Sequence, residues 1–147
     1  MSAAKARLLD QHRALEERLT QLTSAVEAGD AADIAEVWTQ FERHLRDHIE
    51  TEERCLFPLV ASAHRDAIEE LRREHQLIGC ALAELGTLLD LHALRKASVD
   101  ELLLYLLQHA AREEQSVYGW VDEHFVSARK PGSDARAPLQ AGGSSTR

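Results

Sequence analysis

The chain has 147 residues, of which 44% are hydrophobic and 29% charged, and its formal net charge is −8. A single domain of this size can bury a core without disulfides or a structural metal. The acidic balance argues against nucleic-acid binding, which needs a basic face. No apolar run approaches the roughly 20 residues of a membrane span, and the N-terminus lacks an apolar signal core. We therefore expect a cytoplasmic protein with neither a membrane nor a nucleic-acid partner.

The first half of the chain predicts two helices, because its apolar residues recur at intervals of three and four. The first helix is expected over about residues 2–28, and Gly29 follows at the position that glycine favours just past a helix end. The second is expected over about residues 32–61. Pro58 lies in its last turns and predicts a kink or an early end there.

The second half predicts two more helices, over about residues 66–91 and 99–128. Ser98 followed by Glu101 has the spacing of a capping box at the start of the fourth helix. No stretch alternates in the manner of a strand. Four helices with short connections predict an all-α fold, an up-down-up-down antiparallel four-helix bundle.

The helical pattern stops near Arg129. The following segment, residues 130–147, is rich in Gly, Pro and Ser and has too few apolar residues to bury. We predict one domain over residues 1–129 and a disordered C-terminal tail over 130–147. Cys55 and Cys80 are too far apart for a CxxC motif, and we expect two buried or half-buried thiols.

Six ionisable residues occupy positions on the apolar stripes where the helical pattern calls for leucine: His12, His48, Glu52, His75, His109 and Glu113. In an antiparallel pair of helices, residues at equal height are equidistant from the connecting loop. The midpoints between these residues on successive helices all fall in the predicted loops. The six side chains are therefore expected to share one layer inside the bundle.

A cation would offset the cost of burying two carboxylates in one layer, whereas a satisfied polar network is the alternative. Four imidazoles and two carboxylates are too many for one tetrahedral zinc. They fit two ions, with each glutamate bridging, the imidazoles terminal and an oxo or hydroxo bridge from solvent. Two six-coordinate ions offer about twelve positions, of which about two stay open for a small ligand. Iron is the first choice of metal and manganese the second.

Other residues near the layer are placed outside the ligand set. His44 lies one turn before His48, and Glu16 lies on the flank of the first helix. Tyr105 could donate a hydrogen bond into the site, although a half-buried tyrosine is the simpler expectation. Three further histidines lie at loops or helix ends: His64, His92 and His124. HExxH, ExxH, GxSxG and a glycine-rich phosphate loop are absent from the sequence.

The order His…HxxxE…His…HxxxE over roughly residues 8–125 resembles the hemerythrin-like, or HHE cation-binding, domain family. Three segments carry the resemblance: HIETEERCLFP at 48–58, REHQL at 73–77 and HAAREE at 109–114. It implies a non-haem di-iron centre with four terminal histidines and two bridging glutamates. Oxygen-carrying members have a further histidine in an HxxxH pair on the third helix. Here Leu71 and Gly79 stand four residues either side of His75, so the set resembles that of iron-centre repair proteins and of peroxide- and iron-sensing domains.

The leading hypothesis for function is a di-iron protein that binds or reacts with O2, NO or H2O2 at an open iron position, in oxidative or nitrosative stress. The alternative is iron storage, sensing or donation for the repair of iron centres. A third hypothesis is a bundle used only for protein interaction. No particular protein partner is predicted.

Overall fold

The computed structural model describes residues 1–129, and the tail predicted at 130–147 lies outside the described residues. The described part is entirely helical apart from its connections. Its elements in chain order are α1 (Ala3–Ala28), α2 (Ala31–Thr51), a π-helical turn (Glu52–Leu56), α3 (Phe57–Val60), α4 (Arg65–Asp90), α5 (Lys96–Gln115) and α6 (Val117–Arg129). The bundle has four rods, each one pass of the chain. The first is α1 and the third is α4. The second comprises α2, the π-helical turn and α3, and the fourth comprises α5 and α6. The predicted up-down-up-down four-helix bundle is confirmed.

The first connection is tight because two residues stop one helix and start the next. Gly29 has a φ of 73°, a left-handed conformation that glycine adopts without strain, and its N–H donates to the carbonyl of Ala25. The Asp30 carboxylate then accepts from the backbone N–H of Ala32. With so short a link, α1 and α2 must pack antiparallel.

The interruption predicted near Pro58 begins earlier than the proline itself. The backbone widens into the π-helical turn at Glu52, and Pro58 follows in the first turn of α3. A proline inside a regular helix would leave the carbonyl four residues before it without a donor. Here the N–H of Phe57 donates to the Glu52 carbonyl, as a π-helical turn requires. The rod ends soon afterwards, at Val60.

The predicted capping box was wrong. The fourth rod begins at Lys96, and Arg95 at its N-cap makes no side-chain capping bond. Ser98 lies inside the first turn. The connection between α4 and α5 is short. His92 takes a φ of 53°, and the N–H of Ala93 donates back to the carbonyl of Leu88. The helix can therefore start three residues before the position that the motif indicated.

The expectation of buried thiols was also wrong, since Cys55 and Cys80 are both exposed. Cys55 lies on the outer side of the π-helical turn, next to the buried Leu56. Cys80 falls between Ile78 and Leu82, which take the core positions of α4. Helical geometry thus directs both thiols outward.

Two apolar clusters fill the bundle on either side of the ionisable residues. One joins all four rods and includes Leu19, Phe41, Ile78 and Val99, and the other packs α3 and α6 against the start of α1 and α4. Burying one such side chain contributes about 1.5–3 kcal/mol. On every rod the ionisable residues lie between the two clusters. None of the helices within residues 1–129 is both long and apolar enough to cross a bilayer.

Candidate metal centre

The structure brings all six predicted residues into one layer. The Nε2 atoms of His12 and His48 lie 3.0 Å apart, and those of His75 and His109 lie 3.1 Å apart. Oε1 of Glu113 lies 3.3 Å from His12 Nε2 and 3.1 Å from His109 Nε2, and thus links the two pairs. The histidines therefore form two pairs rather than one cluster of four.

Glu52, on the second rod, also reaches both pairs. Its Oε1 contacts Nε2 of His48, and its Oε2 lies 3.9 Å from Nε2 of His75. The side chains of Glu52 and Glu113 are fully buried. The π-helical turn begins at Glu52, at the point where the carboxylate enters the layer.

The outer nitrogen of every imidazole contacts an oxygen from a neighbouring rod. The Nδ1–oxygen distances are 3.0 Å for His12 with Glu114, 2.7 Å for His48 with Gln11, 2.9 Å for His75 with Glu53 and 2.5 Å for His109 with Glu74. A carboxylate or amide oxygen can only accept, so Nδ1 carries the proton and donates. In the neutral imidazoles, Nε2 is therefore left as a lone pair that faces the layer.

The four residues that contact Nδ1 atoms could be located only in part from the sequence. Glu53 and Glu114 directly follow the two buried glutamates, so their place beside the site could be read from the sequence. Gln11 and Glu74 were missed altogether. A common signal exists: each supporting residue is adjacent in sequence to one site residue but contacts an imidazole on the next rod. Glu74 also accepts from Arg112 Nε at 2.6 Å, which holds its carboxylate in place.

The protonation of the layer follows from its burial. Burial and the neighbouring His12 lower the pKa of His48 to about 3, so its imidazole is neutral at physiological pH. Burial alone would lower the pKa of His109, but the nearby carboxylates of Glu113 and Glu74 raise it. Burial and the nearby Glu113 carboxyl raise the pKa of Glu52 well above its ordinary value. Although burial acts the other way, the Glu52 carboxyl and the imidazoles hold the pKa of Glu113 well below its ordinary value.

Three buried carboxylate oxygens of the layer lack hydrogen-bond donors. Oε2 of Glu52 and both oxygens of Glu113 are buried without a hydrogen-bond partner, although each lies near inward-facing Nε2 atoms. Lone pairs facing carboxylate oxygens repel one another unless a cation lies between them. Two nitrogen ligands at adjacent positions on an octahedral ion, each about 2.1 Å from it, would be about 3.0 Å apart. Both histidine pairs have this separation, so the donor set fits two cations.

Two overlapping groups of ligand atoms come close enough to hold a metal ion each: His12, His48, Glu52 and Glu113 in one, and His75, His109 and Glu113 in the other. Glu113 belongs to both groups. Imidazole and carboxylate ligands without a thiolate suit iron, manganese or zinc. The described residues thus form a metal-binding site.

Tyr118 is a member of the site that sequence reasoning missed. Its side chain is fully buried, and its hydroxyl lies 2.7 Å from His12 Nε2 and 3.3 Å from His48 Nε2. The fourth rod breaks at Ser116, whose φ of −130° and ψ of −87° are not helical. The break changes the phase of α6 relative to α5. Helical periodicity carried forward from His109 therefore could not place Tyr118 in the layer.

The other residues considered from the sequence lie away from the ligand atoms. His44 belongs to neither ligand group, and Tyr105 packs at the edge of the apolar cluster that contains Phe41. His64 stacks on Trp120 near the far end of the bundle. Glu16 is exposed and contributes only to the rim of a pocket that reaches the layer.

That pocket, of about 160 Å³, connects the layer to the outside between α1, α2 and α5. Leucines, among them Leu15, Leu45 and Leu103, line it together with charged residues such as Arg13, and the pocket reaches His12 and His109. An apolar passage of this size admits a diatomic molecule or a peroxide, whereas a large polar substrate would have to leave its hydration shell. The small-ligand prediction is compatible with this shape.

Comparison with known proteins agrees with the geometry. Residues 4–121 match the family model described as the hemerythrin HHE cation-binding domain. The chain belongs to this family. No curated protein and no solved structure gives a match to the chain.

Proposed function

We propose that the layer holds two iron ions and that the protein binds or reacts with a small ligand there, namely O2, NO or H2O2. His12 and His48 would hold one ion, His75 and His109 the other. Glu52 and Glu113 would bridge the two ions, with manganese as the second choice of metal. Iron bound in this way would supply redox chemistry and Lewis acidity toward the ligand.

The ring of Nδ1 donors is the observation that carries this proposal. Each outer oxygen fixes an imidazole with its Nε2 facing inward, as in the carboxylate–histidine–metal arrangement of metalloproteins. A polar network evolved only for stability would place donors opposite the buried carboxylates. Here three carboxylate oxygens lack a hydrogen-bond partner, although imidazole nitrogens lie 3.1–3.9 Å from them.

The pocket supports the small-ligand part of the proposal. Its leucines favour an uncharged ligand, and the pocket reaches an imidazole of each pair. Six protein ligands and a solvent bridge do not saturate two six-coordinate ions, so a position remains for a ligand.

The test is reconstitution of the purified chain with Fe(II) under anaerobic conditions. Two irons per chain are expected, with a change in the near-ultraviolet absorption when O2, NO or peroxide is added. His12→Ala and Glu113→Ala should lose iron, whereas His44→Ala, one turn from the layer, is the matched control and should keep both ions. If the iron-loaded protein responds to none of the three ligands, the small-ligand function is wrong. Rapid loss of all iron to a mild chelator in that case would favour iron storage or donation.

A further inference from the structure

Within residues 1–129, Tyr118 has a buried hydroxyl that reaches the layer and that the six-ligand arrangement leaves without a role. We propose that its phenol oxygen is a seventh protein ligand, bound to the ion that His12 and His48 hold. This assignment rests on the proposed di-iron site and adds a ligand to it.

The distances place the Tyr118 oxygen at a ligand position. It lies 2.7 Å from His12 Nε2, 3.3 Å from His48 Nε2 and 3.5 Å from Glu52 Oε1. Neighbouring ligands on a six-coordinate ion, with bonds of about 2.1 Å, lie about 3.0 Å apart. The phenol oxygen is thus near the spacing of an adjacent ligand from three donors of the same ion. A residue that only hydrogen-bonds to one ligand would approach that ligand and stay distant from the others.

The surroundings of the ring hold the oxygen in this position. The Tyr118 ring is 5.1 Å from the His12 ring at an interplanar angle of 28°, and Val117 and Val121 pack in the same apolar cluster. The side chain has no exposed surface, so its hydroxyl cannot turn to water. Every hydrogen bond found for that hydroxyl goes to His12, His48 or Glu52.

Metal binding removes the two closest of those three hydrogen-bond partners, the imidazole nitrogens. Once a cation takes the Nε2 lone pairs, the buried phenol no longer has a nitrogen to which it can donate. The remaining contact, to Glu52 Oε1 at 3.5 Å, is long for a hydrogen bond, and a buried hydroxyl without a good partner is costly. Coordination solves this, because a metal ion replaces the protons of its ligands and the phenol proton passes to solvent.

The seventh ligand makes the two ions unequal. The ion at His12 and His48 would have five protein donors and a solvent bridge, which fills an octahedral shell. The ion at His75 and His109 would have four protein donors and the bridge, so the open position lies there. On that side, a Cβ built at Gly79 would meet no atom within 4 Å, and a pocket of about 260 Å³ is lined by His75 and Gly79. The small ligand is therefore expected at the ion of His75 and His109.

Visible absorption and resonance Raman spectra of the protein loaded with iron and oxidised in air test this assignment. A phenolate bound to Fe(III) gives a visible charge-transfer band and enhanced ring vibrations. Both signals are expected in the unaltered chain and in Tyr105→Phe, which removes the other tyrosine, and both should be lost in Tyr118→Phe while iron is retained. Because Tyr105→Phe keeps only Tyr118, ring-deuterated tyrosine in that variant should shift the vibrations, which decides the point even if Tyr118→Phe does not fold.

Iron content measured in the same samples separates the two ideas. A chain that binds no iron overturns the proposed di-iron function and with it the seventh ligand. A chain with two irons but no phenolate vibrations overturns the Tyr118 assignment alone. Unshifted vibrations in deuterated Tyr105→Phe would likewise overturn it.

Discussion

Replacing Glu52 by glutamine should stabilise the metal-free protein and abolish its stabilisation by metal. Glu52 is fully buried, and its Oε2 has no hydrogen-bond partner. The glutamine amide could donate to the lone pair of His48 Nε2, which an ionised Glu52 carboxylate contacts only as a second acceptor. Leaving a buried acceptor unsatisfied costs about 1–3 kcal/mol, so Glu52→Gln should raise the free energy of unfolding by about that amount.

The sign of the pH dependence follows from the raised pKa of Glu52. A group whose pKa is higher in the folded chain stabilises the fold below its unfolded pKa, and this contribution is lost as the pH rises through the folded pKa. The wild-type chain therefore carries the cost at the pH values above that folded pKa. The advantage of Glu52→Gln should grow as the pH rises and disappear in acid below the ordinary range of a glutamate.

Thermal unfolding followed by circular dichroism, after chelator treatment, measures this effect. One kcal/mol corresponds to about 3 °C for a domain of this length, so a rise in Tm of roughly 3–9 °C is expected. Added Fe(II) should raise the Tm of the wild-type chain but not that of Glu52→Gln. Glu17→Gln, at an exposed position on α1, is the matched control and should change little. A metal-free Glu52→Gln protein that unfolds below the wild type would refute the reasoning.

Four further predictions test the residues that orient the imidazoles, the position of Gly79 and the core. Glu74→Gln should weaken iron binding about 10–100-fold in a chelator competition, because the carboxylate that orients His109 is lost; unchanged affinity would contradict the support role. Gly79→Ala should raise the free energy of unfolding by about 0.5–1 kcal/mol, since the added Cβ meets no atom and helical glycine is unfavourable. Gly79→His should keep both irons but suppress the spectral response to small ligands, and the alanine variant is its control. Leu22→Ala, at a fully buried core position, should cost about 2–5 kcal/mol by denaturant unfolding, and a cost below 1 kcal/mol would show that the cavity collapses.

Much of the fold could be read from the sequence because helical periodicity is a local property. The spacing of apolar residues located four rods, and the equal distances of the ionisable residues from the loops placed them at one height. Burial of His48, Glu52, His75 and Glu113 follows from the same pattern, since each takes a position where leucine would otherwise pack. Family membership also depends on these spacings, and residues 4–121 carry it.

What the sequence could not supply depends on contacts between rods and on breaks in the helical phase. Gln11 and Glu74 contact imidazoles on the next rod, and no period along one chain segment describes such a contact. Cys55 is exposed within the π-helical turn, whose wider backbone a regular helical period does not describe. The break at Ser116 rotates α6 so that Tyr118 enters the layer. The sequence by itself determined the rods and the height of the six ionisable residues, because both follow from local spacing. Only the tertiary structure decided how the imidazoles pair, which oxygens orient them and that a tyrosine lies among them, because those depend on how neighbouring rods face one another.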